Sequence, residues 1–154
     1  MKTRHFDLKV ESRDKENMTV SASLSSEVPV DMGLGYREIL VHEKDTVDLS
    51  RGDFPLLESH NRNALNIGVV ENIRIVGRRL KGLLRFGKSA RAKEIWQDVK
   101  DGIVRGVSIG YEILDGERVG NDISLVTKWR LLEVSLVSLP ADASVGIGRS
   151  KSMD

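Results

Sequence analysis

The sequence is 154 residues long, carries 24 Lys and Arg against 23 Asp and Glu for a formal charge of +1, and has no cysteine. That length suits one domain with a real core. The charge balance excludes a global basic field for nucleic acid, and the missing cysteine excludes disulfides, a thiol nucleophile and cysteine-ligated zinc. No apolar run approaches the ~18 residues of a membrane span. Met1 to Asp7 lacks the apolar core of a signal peptide. A soluble protein of the cell interior is the expectation.

Phe6 to Glu11 alternates apolar and polar residues, and Met18 to Leu24 repeats the pattern. The polar link Ser12 to Asn17 predicts a hairpin between them. Ser25 to Gly35, with Pro29 and two glycines, reads as a loop, and Tyr36 to Val41 as a short strand. His42 opens a polar turn and reads as a surface or turn histidine, as does His5 near the terminus. Phe54-Pro55-Leu56-Leu57 runs straight into Glu58-Ser59-His60-Asn61. An apolar anchor just before His60 would fix its imidazole at the rim of a core, either for chemistry or merely bonded to a backbone carbonyl.

Ile67 to Val76, the turn Gly77-Arg78-Arg79 and Leu80 to Phe86 form the clearest hairpin. Its basic residues Arg74, Arg78, Arg79, Lys81 and Arg85 read as a solvated tip, because no aromatic residues are interleaved to stack on bases. Ser89 to Asp101 is the one strong helix. Ser89 caps it, Ala92, Ile95, Trp96 and Val99 share a face, and Gly102 stops it. Arg105 to Leu114 is a strand, Asp115 to Asp122 a polar loop, and Ile123 to Val137 a long β run bent near Lys128 to Arg130. The loop lacks the ligand spacing of an EF-hand. About seven or eight strands with one helix argue for a mainly β fold, a closed or partly open antiparallel barrel with the helix packed on it.

In Gly106-Val107-Ser108-Ile109-Gly110, alternation puts Ser108 between two glycines on a face stripped of side chains. That leaves room for a substrate carbonyl, or simply for a neighbour packed on a thin strand. The letters also spell the G-x-S-x-G elbow of α/β-hydrolases, but that elbow needs a histidine after the serine. All three histidines (His5, His42 and His60) precede Ser108. Glu133 is the odd residue in Leu131-Leu132-Glu133-Val134-Ser135-Leu136-Val137, on a face expected to carry Leu131, Ser135 and Val137. A carboxylate there is costly if buried alone. It could hold an imidazole N–H, lie at an edge, or pair with Arg130. Together His60, Ser108 and Glu133 could supply base, nucleophile and orienter of a serine hydrolase.

Phe54-Pro55-Leu56-Leu57-Glu58-Ser59-His60, Ile67-Gly68-Val69-Val70, Gly82-Leu83, Gly106-Val107-Ser108-Ile109-Gly110-Tyr111 and Leu132-Glu133-Val134-Ser135-Leu136-Val137-Ser138-Leu139-Pro140-Ala141 occur in that order. With them the chain resembles the prohead (capsid-maturation) serine proteases of tailed phages and prophages, over roughly Val28 to Gly148. The resemblance implies His60 as general base, Ser108 as nucleophile and Glu133 as the acidic third member. The family is related in fold to the herpesvirus assembly proteases, whose third member is a second histidine. No histidine follows Ser108 here, and Glu133 takes a comparable place. The implied fold is a seven-stranded barrel with fewer helices than those relatives carry. The implied role is cleavage of scaffold and major-capsid-protein segments inside the immature capsid, in the host cytoplasm, often with self-cleavage. Backbone N–H groups of Ala141 and Asp142 are oxyanion candidates by analogy. A protease domain over 1–148, a flexible tail over 149–154, a homodimer or higher oligomer, and no cofactor, metal, membrane or nucleic-acid partner complete the expectation. A non-catalytic capsid-assembly or scaffold module with the same barrel is the alternative.

Overall fold

The computed structural model of the chain describes residues 2–7, 13–14 and 17–138. The strands are β1 Lys2–Asp7, β2 Arg13–Asp14, β3 Thr19–Ser26, β4 Val30–Asp31, β5 Arg37–Leu40, β6 Val47–Asp48, β7 Phe54–Glu58, β8 Gly68–Val76, β9 Arg79–Phe86, β10 Gly106–Val119 and β11 Ile123–Val137, and the helix is α1 Ala90–Lys100. Seven of the strands follow one another across a single sheet in the order β1-β10-β11-β7-β8-β9-β3, with β2 beyond β3. The sheet curls until β1 and β10 approach β3. This is the mainly β, partly open barrel with one helix that the alternation predicts. Its pairings are not all antiparallel: β5, β6 and β7 lie parallel to β11 in succession along its length.

The inward faces carry the core. Val20, Leu24, Leu40, Leu56, Leu80 and Leu84 are fully buried, as are Ile109, Trp129 and Leu131. Each such side chain stabilises the fold by ~1.5–3 kcal/mol relative to exposure. Helix α1 starts where Ser89 Oγ accepts the Ala92 N–H at 3.3 Å, and it ends before Gly102, whose φ of 77° is left-handed. Ala92, Trp96 and Val99 form its buried face. Trp96 packs on Phe86 of β9 at a centroid distance of 5.2 Å.

Three expectations from local pattern are corrected. Of the predicted N-terminal hairpin, Leu8 to Glu11 lie outside the described residues, and the described end, Phe6 and Asp7, pairs elsewhere. β1 lies antiparallel on β10 (Phe6 opposite Val107), while β3 takes the short β2 and then β9. Alternation specifies a strand's faces but not its neighbour. The polar stretch from Asp115 is not a loop, because β10 continues through Val119 and pairs with β11 as far as Ile123. The ladder is irregular beside the bend expected in β11: Leu114 on β10 and Thr127 on β11 have no opposite number on the two sides of the Asp115–Lys128 pair. Finally, His42 is no surface histidine. It is 1% exposed, its Nδ1 lies 2.8 Å from the Leu40 carbonyl oxygen, and its ring meets Trp129 edge-on. A carbonyl only accepts, so Nδ1 carries the proton. The basic hairpin tip is held in ion pairs: Arg78 with Glu27 and Glu43, and Arg85 with Glu71. The boundary at residue 148 and the tail 149–154 lie outside the described residues.

Candidate active site

On β10 and β11 the core-facing residues Val107, Ile109, Val134 and Leu136 alternate with Ser108, Glu133 and Ser135, which therefore share the opposite face. Ser108 and Ser135 stand directly across the ladder from each other. Gly106 opens that ladder because nothing larger fits: a Cβ there would come within 2.6 Å of the Val137 carbonyl oxygen. A bulge between Gly110 and Tyr111 leaves Leu132 without an opposite number, since Gly110 faces Glu133 and Tyr111 faces Leu131. The bulge corrects one expectation. Leu131 sits in the core and does not share a face with Glu133 and Ser135.

His60 arrives from β7. Leu56 and Phe54 anchor this strand in the core, and its end pairs with β11 through Leu57 opposite Ser135. The chain then turns sharply. Ser59 and His60 take left-handed φ values of 50° and 57°, and the Asn61 N–H returns to the Glu58 carbonyl at 2.9 Å. Two such non-glycine residues cost roughly 1–2 kcal/mol each. The turn is held by two further bonds, Ser59 N–H to the Leu136 carbonyl at 2.9 Å and His60 N–H to Ser135 Oγ at 3.0 Å. Strain of this kind is what places a side chain where a relaxed strand end would not.

The result is one continuous chain of hydrogen bonds. His60 Nε2 lies 2.6 Å from Ser108 Oγ, and His60 Nδ1 bonds Glu133 Oε1. Ser135 Oγ donates to the other carboxylate oxygen, Oε2, at 2.8 Å. An ionised carboxylate only accepts, so it fixes the imidazole proton on Nδ1 and leaves Nε2 to accept from the serine hydroxyl. Ser108 is fully buried and Glu133 2% exposed, while the His60 side chain keeps 18% exposure. The low-dielectric surroundings strengthen each of these bonds. The arrangement can move a proton from the serine oxygen to the imidazole and stabilise the imidazolium beside a fixed negative charge.

The structure thus brings together His60, Ser108 and Glu133. The alternative partner for Glu133, Arg130, is engaged elsewhere, with Asp48 at 3.0 Å and Glu112 at 3.1 Å. The oxyanion candidates Ala141 and Asp142 lie outside the described residues. Ser135 is the residue that sequence reasoning passed over. It bonds the backbone of one site residue and the carboxylate of another. Its only signal was the two-residue spacing from Glu133 on a strand.

A Ser–His–carboxylate relay on the outward face of a small β-barrel has the hydrogen-bond pattern that serine hydrolases use. The chain belongs to the caudovirus prohead serine protease family, whose model matches residues 6–154. It is 44% identical over 137 residues to a protein of Halomonas phage phiHAP-1 named major capsid protein, a match covering 83% of this chain and 23% of that one. A capsid polyprotein of Pseudomonas phage PAJU2 is 38% identical over 65 residues, 42% of this chain and 10% of its own. A Lactococcus phage p2 protein named probable capsid maturation protease is 30% identical over 112 residues, 73% of this chain and 63% of that protein. The chain therefore spans less than two thirds of the length of each of these curated relatives. No solved structure matches it.

Proposed function

We propose that the chain is a serine endopeptidase that cuts capsid-protein or scaffold segments, and its own flanking sequence, during prohead maturation. The observation that carries this reading is the His60 ring bonded on one side to Ser108 Oγ and on the other to Glu133. His60 takes the Ser108 proton as the oxygen attacks the scissile carbonyl. The same proton then goes to the leaving amine. Water, deprotonated by His60, releases the acyl-enzyme. Glu133 holds the imidazole throughout, and backbone N–H groups of Ala141 and Asp142 bind the oxyanion. Self-release is supported by the relatives named major capsid protein and capsid polyprotein, in which the matching region is a small part of a longer chain. A protease so joined to a capsid protein meets its own chain at high effective concentration.

The full burial of Ser108 and those same names favour a second reading, a non-catalytic capsid-assembly module. Wild type and Ser108→Ala, each incubated with the capsid or scaffold protein encoded beside it, separate the two by intact mass. Fragments from wild type alone are the expected result. Fragments from neither, with both proteins folded and assembled, sink the protease. Equal fragments from both would mean a different nucleophile.

A further inference from the structure

Ser135 lies on β11, two residues past Glu133 and directly across the ladder from Ser108. It is fully buried, and its hydroxyl makes two bonds whose directions are fixed by chemistry. The His60 backbone N–H only donates, so Ser135 Oγ accepts from it at 3.0 Å. An ionised carboxylate only accepts, so the one hydroxyl proton goes to Glu133 Oε2 at 2.8 Å. Position 135 therefore needs a short group that accepts and donates at once, and an alanine there does neither.

The two bonds do different things. The terminal torsion of a glutamate is broad, so a carboxylate held through one oxygen alone can swing about it. Glu133 is held through both, Oε1 by His60 and Oε2 by Ser135, which fixes the plane in which it meets the imidazole. The other bond grips the turn. His60 has a left-handed φ of 57°, a conformation that persists in a non-glycine residue only where its surroundings hold it. Ser135 holds it at the N–H of that same residue. The imidazole is bonded to Glu133, while the His60 backbone and Glu133 are both bonded to one oxygen, in a closed ring of three hydrogen bonds. A shift of one member moves the others, and with them Nε2, which stands 2.6 Å from Ser108 Oγ.

We propose that Ser135 is a positioning residue of this site: it sets the Glu133 carboxylate plane and the His60 turn as one unit and so keeps Nε2 aimed at Ser108. It acts through those two neighbours and not on the substrate. Its effect on rate rests on the protease reading, so the test has a second arm that needs no turnover. In the first arm Ser135→Ala, Glu133→Gln and the double variant, each shown to be folded by circular dichroism, cleave a peptide copied from a site that the wild type cuts. Ser135→Ala should lose about 10²-fold in kcat with KM unchanged, the cost of a small misplacement beside the chemistry. The losses should not multiply. Once Glu133→Gln has turned the imidazole proton the wrong way, adding Ser135→Ala should cost less than about threefold more. A serine that only fills space would exact its full loss again.

In the second arm, NMR of the chain with isotope-labelled histidine reads which nitrogen of His60 holds the proton and how fast that proton exchanges with water. The His60→Gln chain assigns the signal. Wild type should show a slowly exchanging proton on Nδ1. Ser135→Ala should show it shared between the two nitrogens and exchanging faster. That result supports the positioning role even if no peptide is ever cut, in which case the protease reading falls alone. An unmoved His60 proton, an unchanged kcat in Ser135→Ala, or full multiplication of the two losses overturns the role, and cleavage by the wild type then leaves the protease reading standing.

Discussion

At the scale of single residues, the site depends on which nitrogen of His60 carries its proton. Glu133 decides that, because its ionised oxygen can only accept. Glu133→Gln keeps the side-chain volume, but its amide can turn an N–H toward Nδ1 and move the imidazole proton to Nε2. The serine then faces a donor where it needs an acceptor. Turnover should fall about 10⁴-fold, as when a triad Asp becomes Asn, with KM little changed and the fold intact by circular dichroism. A Glu133→Gln variant within a few-fold of wild type would remove Glu133 from the mechanism. His60, Ser108 and Glu133 were legible because each breaks a local pattern: a histidine ending an apolar run, a serine between glycines, a carboxylate inside a β run. Ser135 was not legible, since a serine on a strand breaks no pattern. His42 was misread for the opposite reason. It sits in a polar stretch, but the partners that bury it, Leu40 and Trp129, come from its own strand end and from a segment far along the chain.

At the scale of elements, the β10–β11 ladder positions Ser108, and its opening residue tests how tightly. The Cβ added by Gly106→Ala would meet the Val137 carbonyl oxygen at 2.6 Å, and backbone cannot step aside as a side-chain end can. The strands must part locally, two residues from Ser108. We expect a loss of ~1–3 kcal/mol in stability and, separately, a drop of about 10²-fold in turnover from displacement of Ser108 relative to His60. Urea denaturation and single-turnover kinetics would measure both. Unchanged turnover would show that the site tolerates movement of its strand. The neighbouring β6–β11 contact carries a pH dependence. Hydrogen bonds from Ser50, and then the Arg130 guanidinium, hold the Asp48 carboxyl down from 3.8 to about 2. A lowered pKa in the folded state stabilises above the ordinary carboxylate range and is lost as pH falls through the lowered value. The wild type should therefore exceed Asp48→Asn in urea midpoint above about pH 4, and the two should converge on approaching about pH 2. A gap that persists undiminished at pH 2 would assign the effect to shape and not to charge. Strands and the helix were legible element by element from alternation and capping. Element ends were less so, as the extension of β10 past Asp115 shows: a polar sequence with glycine can still be paired on a solvated hairpin.

At the scale of the whole molecule, the barrel is held by contacts that no local pattern announces. β1 lies on β10, about a hundred residues away in sequence, with His5 in register with Ser108. β5 joins β11 in parallel. Neighbouring segments that alternate alike suggest a hairpin, but Phe6 and Asp7, the described end of the first segment, pair with β10, and β3 takes β9. What binds these distant strands can be named. Glu38 of β5 is fully buried, a costly position for a carboxylate. Its Oε1 accepts from the Tyr111 hydroxyl of β10, and its Oε2 lies 3.5 Å from Lys2 Nζ of β1. Lys2 also donates to the Tyr36 hydroxyl at 3.2 Å. One acid thus ties three strands that are far apart in the chain. Tyr111→Phe keeps the ring against Trp129 but removes the donor, leaving a buried carboxylate oxygen short of a bond. The expected cost is about 1–3 kcal/mol. Glu38→Gln should lower that cost, because a neutral amide loses less when its partner is removed, so the double variant should be more stable than the sum of the single losses predicts. Strict additivity in urea denaturation would mean that Tyr111 and Glu38 contribute independently and that packing alone closes the barrel. Coupling would establish Tyr111, the last residue of the serine motif, as the point where the site's own strand is fastened to the rest of the fold.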